Sequence, residues 1–328
     1  MLRILHNANY DFIRHWRKTV VLIVAFLIPG SIWLAISGFN YSIEFTGGTL
    51  LQLEFAQAPD VGRIRDALGN AGVGSVEIQT FGRPNEIVIR AQDEALVSQQ
   101  AAGAEAIVKT VTSALDGAFA EGAYKVVRTD AVGPKVGGEL KANALTALLI
   151  SFLVSLLYLA WRFEWRFGVA ALVATIHDIL ATIVFMRYAN IEVSLFVVGA
   201  ILTVIGYSLN DTIIVFDRVR ENLKLSGRTA SLVEILNRSV NETLPRTILT
   251  SATTLATLLA LFFLGGEVIR PFAIVLIFGI VVGTLSSIFI ASPTLYWIEQ
   301  RYPRTAAGSA KVPPTPAAGS RANARRHA

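Results

Sequence analysis

Long apolar runs separated by short polar turns occupy most of this chain, and one polar stretch, residues 39–141, interrupts them. A helix that crosses a bilayer needs about 20 mostly apolar residues, because ~30 Å of hydrocarbon is traversed at ~1.5 Å per residue. Six runs answer that description: residues 19–38, 142–160, 167–186, 193–216, 248–264 and 271–298. The pattern predicts six transmembrane helices, the first preceded by a leader, residues 1–18, that carries Arg14, Arg17 and Lys18. Ala35-Ile36-Ser37 resembles a small-residue cleavage site, but the apolar run before it exceeds a signal-peptide core, so an uncleaved anchor is expected.

The interrupting stretch has a different rhythm. Residues 42–55 read as a strand and 59–71 as a helix, with Val61, Ile64, Arg65 and Leu68 at helical spacing. Strands follow at 75–81 and 86–91, split by Gly82, Pro84 and Asn85, then a helix at 94–120 and a strand at 124–131. The order β-α-β-β-α-β predicts an α+β ferredoxin-like sandwich, a fold that names no activity. The expected fold class is therefore a polytopic α-helical membrane protein carrying one such domain outside the membrane. Its divisions are a leader (1–18), a first helix (19–38), the ferredoxin-like domain (39–141), a five-helix region (142–300) and a tail (301–328). The tail is rich in Pro, Ala, Gly, Ser and Arg and reads as disordered.

Composition agrees: 53% of residues are apolar, 16% are charged and mean hydropathy is +0.54, whereas a soluble domain is about 25% charged. Lys and Arg accumulate in the leader, in 161–166, in 217–245 and after residue 300, while 187–192 and 265–270 hold one basic residue each. By the positive-inside rule both termini are cytoplasmic and residues 39–141 are periplasmic. That domain carries a net charge of −4 and the remainder +9, giving the overall +5. The basic excess is topological and favours anionic lipid; it is no nucleic-acid footprint. With no cysteine there is neither disulfide nor thiolate chemistry, and four histidines give no metal-site pattern.

Candidate chemistry is sparse. Gly47 and Gly48, and Gly133, Pro134, Gly137 and Gly138, sit where the domain joins the first and second spans, as tight turns or as hinges. Ionisable residues inside spans cost ~2.5–3.5 kcal/mol each on the insertion scale. Here they are Asp178, after His177; Asp211, after Asn210; and Arg246, which opens the fifth span. An adjacent pair on a helix points in different directions, so His177 and Asp178 read as separately satisfied polar groups. Tyr207 and Ser208 share a side with Asp211, beside a Gly199, Thr203, Gly206 and Asn210 stripe. The fifth span carries Thr247, Thr250, Ser251, Thr253, Thr254 and Thr257, and the sixth carries Gly279, Gly283, Ser287 and Ala291 at four-residue steps, which lets helices approach closely. Three readings stay open for Asp211: an ion pair with Arg246, a hydrogen-bonded network with Asn210 and Tyr207, or a carboxyl that takes up and releases a proton.

Phe45-Thr46-Gly47-Gly48, the run from Val132 to Leu140 and, above all, Gly206-Tyr207-Ser208-Leu209-Asn210-Asp211-Thr212 with its continuation to Asn222 resemble the SecF family. The likeness continues through Leu244-Pro245-Arg246-Thr247 into the sixth span. It implies a non-enzymatic inner-membrane subunit of the resistance-nodulation-division superfamily. With SecD, such a subunit uses the proton-motive force to help preproteins leave the SecYEG channel, with YajC as a further partner. The resemblance makes Asp211 the proton-carrying aspartate and Arg246 its modulator; Tyr207, Ser208, Asn210 and Asp178, polar groups within the spans, are expected in support, the proton is the coupling ion and no cofactor is expected. The energetics suffice, since a charge crossing 100 mV yields ~2.3 kcal/mol and each pH unit ~1.4 kcal/mol. One six-span half requires a second from a partner. The rivals are a small-molecule or lipid exporter of the same superfamily, which needs a roomy pocket in the outer domain, and a passive scaffold.

Overall fold

The computed structural model describes residues 9–73, 75–92, 101–226 and 230–302. Leader residues 1–8, the first part of the 94–120 helix up to residue 100, and the tail from 303 lie outside the described residues.

Six helical stretches are long and apolar enough to cross a membrane. They are α1 (Trp16–Ser37), α5 (Pro134–Arg162), α6 (Trp165–Tyr188), α7 (Leu195–Ser226), α8 (Leu232–Leu264) and α9 (Arg270–Ser286), the last prolonged through a π turn (Ser287–Ala291) into α10 (Ser292–Arg301). The soluble unit lies between the first two. It contains the single turn α2 (Ile43–Thr46), then β1 (Gly48–Phe55), α3 (Val61–Asn70), β2 (Ser75–Phe81), β3 (Arg83–Gln92), α4 (Ala101–Ala118) and β4 (Tyr124–Val132).

The four strands form one antiparallel sheet in the order β2-β3-β1-β4. Alternation decides its faces: Leu51, Leu53, Phe55, Ile87, Ile89 and Ala91 point to one side, where Ile64 and Leu68 of α3 and Ile107, Val111 and Leu115 of α4 cover them. The opposite face, with Leu50, Gln52, Val88 and Arg90, borders a cleft of about 820 Å³ shared with Glu192, Phe196, Phe262 and Arg270 of the membrane region.

Two strand expectations need correction. The first strand begins at Gly48 and not at 42, because Ile43–Thr46 coil into a turn whose amides bond back to Ser42 and Ile43. Pro84 and Asn85 lie inside β3; only Gly82, at φ +72°, makes the turn. Proline fits there because β1 pairing starts at Glu86 and the β2 register shifts between Thr80 and Phe81.

The expected 217–245 loop is also mostly helix. Helix α7 runs on to Ser226, and α8 starts at Leu232 with Ser231 accepting from the Glu234 amide while Glu234 caps the Ser231 amide. Arg218 pairs with Glu242 (2.6 Å) and Glu221 (2.6 Å), and Arg238 with Glu242 (2.9 Å), so the helical extensions are tied together. Arg246 consequently sits mid-helix, directly after Pro245.

Helix α9 crosses α7 at close quarters. A Cβ on Gly279 would stand 2.2 Å from a Val204 methyl, and one on Gly283 would stand 3.1 Å from Ser208 Cβ. The stripe of small residues therefore does what its spacing predicts: it brings two backbones together and carries the polar residues of α7 against those of α9.

Candidate functional site

Asp211 is completely buried in α7. Its Oδ2 accepts from Thr284 Oγ1 of α9 at 3.2 Å, and its Oδ1 has no hydrogen-bond partner among the described residues. Thr284 Oγ1 lies 2.8 Å from Ser251 Oγ of α8, and Tyr207 donates to Ser251 Oγ at 3.1 Å. A hydroxyl has one proton to give. When the Thr284 proton goes to the carboxylate, Ser251 must donate to Thr284, so Tyr207, Ser251, Thr284 and Asp211 form a chain with one direction. It joins three helices.

Asp178 of α6, also buried, anchors a second cluster. Its Oδ2 accepts from Ser286 at 2.6 Å and from Ser208, and its Oδ1 lies 2.9 Å from His177 Nδ1. This corrects the expectation that His177 and Asp178 act separately. Their Cα–Cβ bonds diverge, but the imidazole is long enough to turn back onto its neighbour. Ser208 and Asp211 share a face of α7 as their spacing requires, yet they serve different clusters.

The other candidates are placed differently. Asn210 is exposed and belongs to neither cluster. Arg246 is exposed and, although within electrostatic reach of Asp211, makes no ion pair with it among the described residues. A structural Asp211–Arg246 pair is thus not what this conformation contains. Thr203, Gly206 and Asn210 of α7 are exposed small or polar residues, as are Arg246, Thr250 and Thr253 of α8. Several of these hydroxyls donate to carbonyls one turn back, as Thr203 does to Gly199 (2.8 Å) and Thr253 to Leu249 (3.1 Å).

The glycine motifs meet each other. Gly47 (φ +75°) and Gly48 (φ +124°) end α2 in backbone that side chains rarely adopt, and Gly137 of α5 packs on the Phe45–Gly47 backbone. Gly133 precedes α5 and Pro134 occupies its first turn, where a missing amide costs nothing; Gly138 faces open space. The same strap reaches α7: Ser42 donates to the Val193 carbonyl (3.0 Å), Val193 to the Asn40 carbonyl (2.7 Å), and the Leu195 amide to Glu44 Oε2 (2.6 Å). Beside it, Arg90 of β3 pairs with Glu192 and, at 3.2 Å, with Glu77.

Thr284 was the functional candidate missing from the sequence reading. It lies one residue beyond the Gly279 and Gly283 stripe, and helical spacing gave it no mark that would set it apart from the other hydroxyls of these spans.

Residues 32–59, which hold Gly47 and Gly48, match the model of the SecD/SecF GG motif, and residues 111–301, which hold both polar clusters and Arg246, match that of the protein export membrane protein SecD/SecF, C-terminal. The chain is 55% identical over 305 residues to the protein translocase subunit SecF of Gemmatimonas aurantiaca, covering 93% of this chain and 91% of that one. It is 44% identical to the SecF of Desulfurispirillum indicum over 87% of this chain and 91% of the relative. Among solved structures it is similar to the crystal structure of SecDF, a translocon-associated membrane protein, from Thermus thermophilus, with a TM-score of 0.77 and 34% identity. That match covers 90% of this chain and 39% of the SecDF chain. The chain belongs to the SecF family of protein translocase subunits.

Proposed function

We propose that this chain is the SecF half of a SecD–SecF assembly in the bacterial inner membrane, where it couples inward proton flow to preprotein movement at the SecYEG channel, with YajC as an associated subunit. Both termini are cytoplasmic, and the β2-β3-β1-β4 unit is a periplasmic ferredoxin-like sandwich that works against SecD and preprotein. The sheet order, with both helices on one face, supports the fold assignment, and the basic inner loops support the orientation. The SecF relatives do not favour the exporter.

The observation that carries the proton reading is a buried Asp211 carboxyl that, among the described residues, has one oxygen unpartnered and no ion pair and is reached by a one-directional chain of hydroxyls. Such a group can change protonation without breaking a salt bridge. Arg246, exposed in the same region, modulates it by approaching and withdrawing, and SecD covers the polar α7 and α8 face that lipid would penalise. The proton is the only coupling ion, no cofactor takes part, and the chain works as a transporter subunit rather than an enzyme. Replacing Asp211 with Asn tests this in vesicles holding the SecD complex. Proton-dependent translocation should vanish while the complex still assembles; unchanged translocation refutes the relay.

A further inference from the structure

A groove of about 620 Å³ opens between α1, α6 and α9. Its walls are Leu22 and Phe26 of α1, Ala181 of α6, and Phe278 and Leu285 of α9; among the described residues its polar lining groups besides Thr19 and Lys18 are His177 and Ser286. Both of these engage Asp178, so the lumen is left to hydrocarbon. One end is closed by the Phe26 and Phe278 rings, stacked with centroids 6.0 Å apart. The other end is Lys18, exposed and without an acidic partner among the described residues, one residue after the exposed Arg17.

The dimensions identify the occupant. From Phe278 to Ile290 the groove follows the α9 axis for about 18 Å at ~1.5 Å per residue. That is close to half of a ~30 Å hydrocarbon core, hence the depth of one leaflet. A transmembrane helix from a partner would have to continue past the aromatic stop, and along the walls beyond Lys18 a peptide would meet almost only apolar side chains. We propose that the groove binds one acyl chain of an anionic phospholipid, its phosphate seated on Lys18 and its chain end against Phe26 and Phe278. The complementarity has the expected sign, since an exposed lysine at the head-group level attracts an anionic head group.

The absence of cysteine makes the test direct. The full chain carrying Leu285→Cys, labelled with bimane, is placed in phosphatidylcholine vesicles containing 20 mol% dibrominated phosphatidylglycerol or, separately, 20 mol% dibrominated phosphatidylcholine. Leu149→Cys on α5, also exposed but outside the groove, is the reference. Expected is quenching at residue 285 at least threefold more effective with the brominated anionic lipid, no preference at residue 149, loss of the preference in Lys18→Gln and its return in Lys18→Arg. Equal quenching by both lipids at residue 285 overturns the site, as does a preference that survives Lys18→Gln. Absence of quenching by either lipid, the signature of a protein-filled groove, overturns it as well.

Discussion

Gly137 of α5 lies so close to Gly47 that a Cβ placed on it would stand 3.1 Å from the Gly47 amide nitrogen. The two glycine motifs are therefore one clasp between the strap after α1 and the first turns of α5. Gly137→Ala must push backbone apart and should cost about 1–3 kcal/mol, as overpacking does. Gly138→Ala meets open space inside a helix and should be neutral or stabilising by up to ~1 kcal/mol. Thermal unfolding of the two purified variants in detergent checks the contrast. Equal behaviour would mean that the contact does not hold the strap.

Glu44 caps the helix that carries Asp211, accepting from the Leu195 amide at 2.6 Å. Glu44→Ala leaves the Leu195 amide unsatisfied and should cost about 0.5–2 kcal/mol, with Glu44→Gln losing less because its carbonyl still accepts. Amide hydrogen exchange at residues 195–198 reads the effect locally.

Burial, partly opposed by Arg90, pushes the Glu192 carboxyl above its ordinary value of 4.5. A carboxyl that holds its proton more tightly in the docked state makes docking firmer as pH falls. The contribution is complete below 4.5 and is lost as pH rises from there through the raised value. Protection of the strap from limited proteolysis should therefore increase from pH 7.5 towards pH 5, and Glu192→Gln should flatten the profile. A wild-type profile that is flat or opposite in slope counts against burial of the Glu192 carboxyl when the domain is docked.

Gly279→Ala drives a methyl into Val204, which a Cβ at 279 would approach to 2.2 Å. A loss of about 1–3 kcal/mol is expected, with Val204→Ala restoring part of it in a double-mutant cycle. Strict additivity would show that the helices do not pack through this pair.

Six spans and the strand and helix order of the unit between the first two of them were legible because long apolar runs and two-residue alternation report backbone geometry directly. The start of β1 was not. Ile43, Glu44 and Phe45 have strand-like composition, but the tertiary contacts with Val193, Leu195 and Gly137 coil them. Asp211, Asp178 and the glycine motifs stood out as rare residue types in their surroundings. Thr284 did not, because one threonine among many hydroxyls becomes special only when α9 is brought against α7. The contact between His177 and Asp178 was hidden for a related reason, since the angle between Cα–Cβ bonds ignores how far a ring can reach.

Helix α7 is unbroken for 32 residues, about 48 Å, and it is fastened at its N-terminal tip through Glu44 and in its C-terminal third through Arg218 and Glu242. Asp211 stands almost midway, about 24 Å from either tip. A rod held in this way behaves as a balance beam. A tilt of about 5° carries each tip about 2 Å in opposite directions while the centre barely moves. The carboxyl therefore sits at the one point of α7 that can keep its hydroxyl partners while the two faces of the membrane feel displacements of opposite sign.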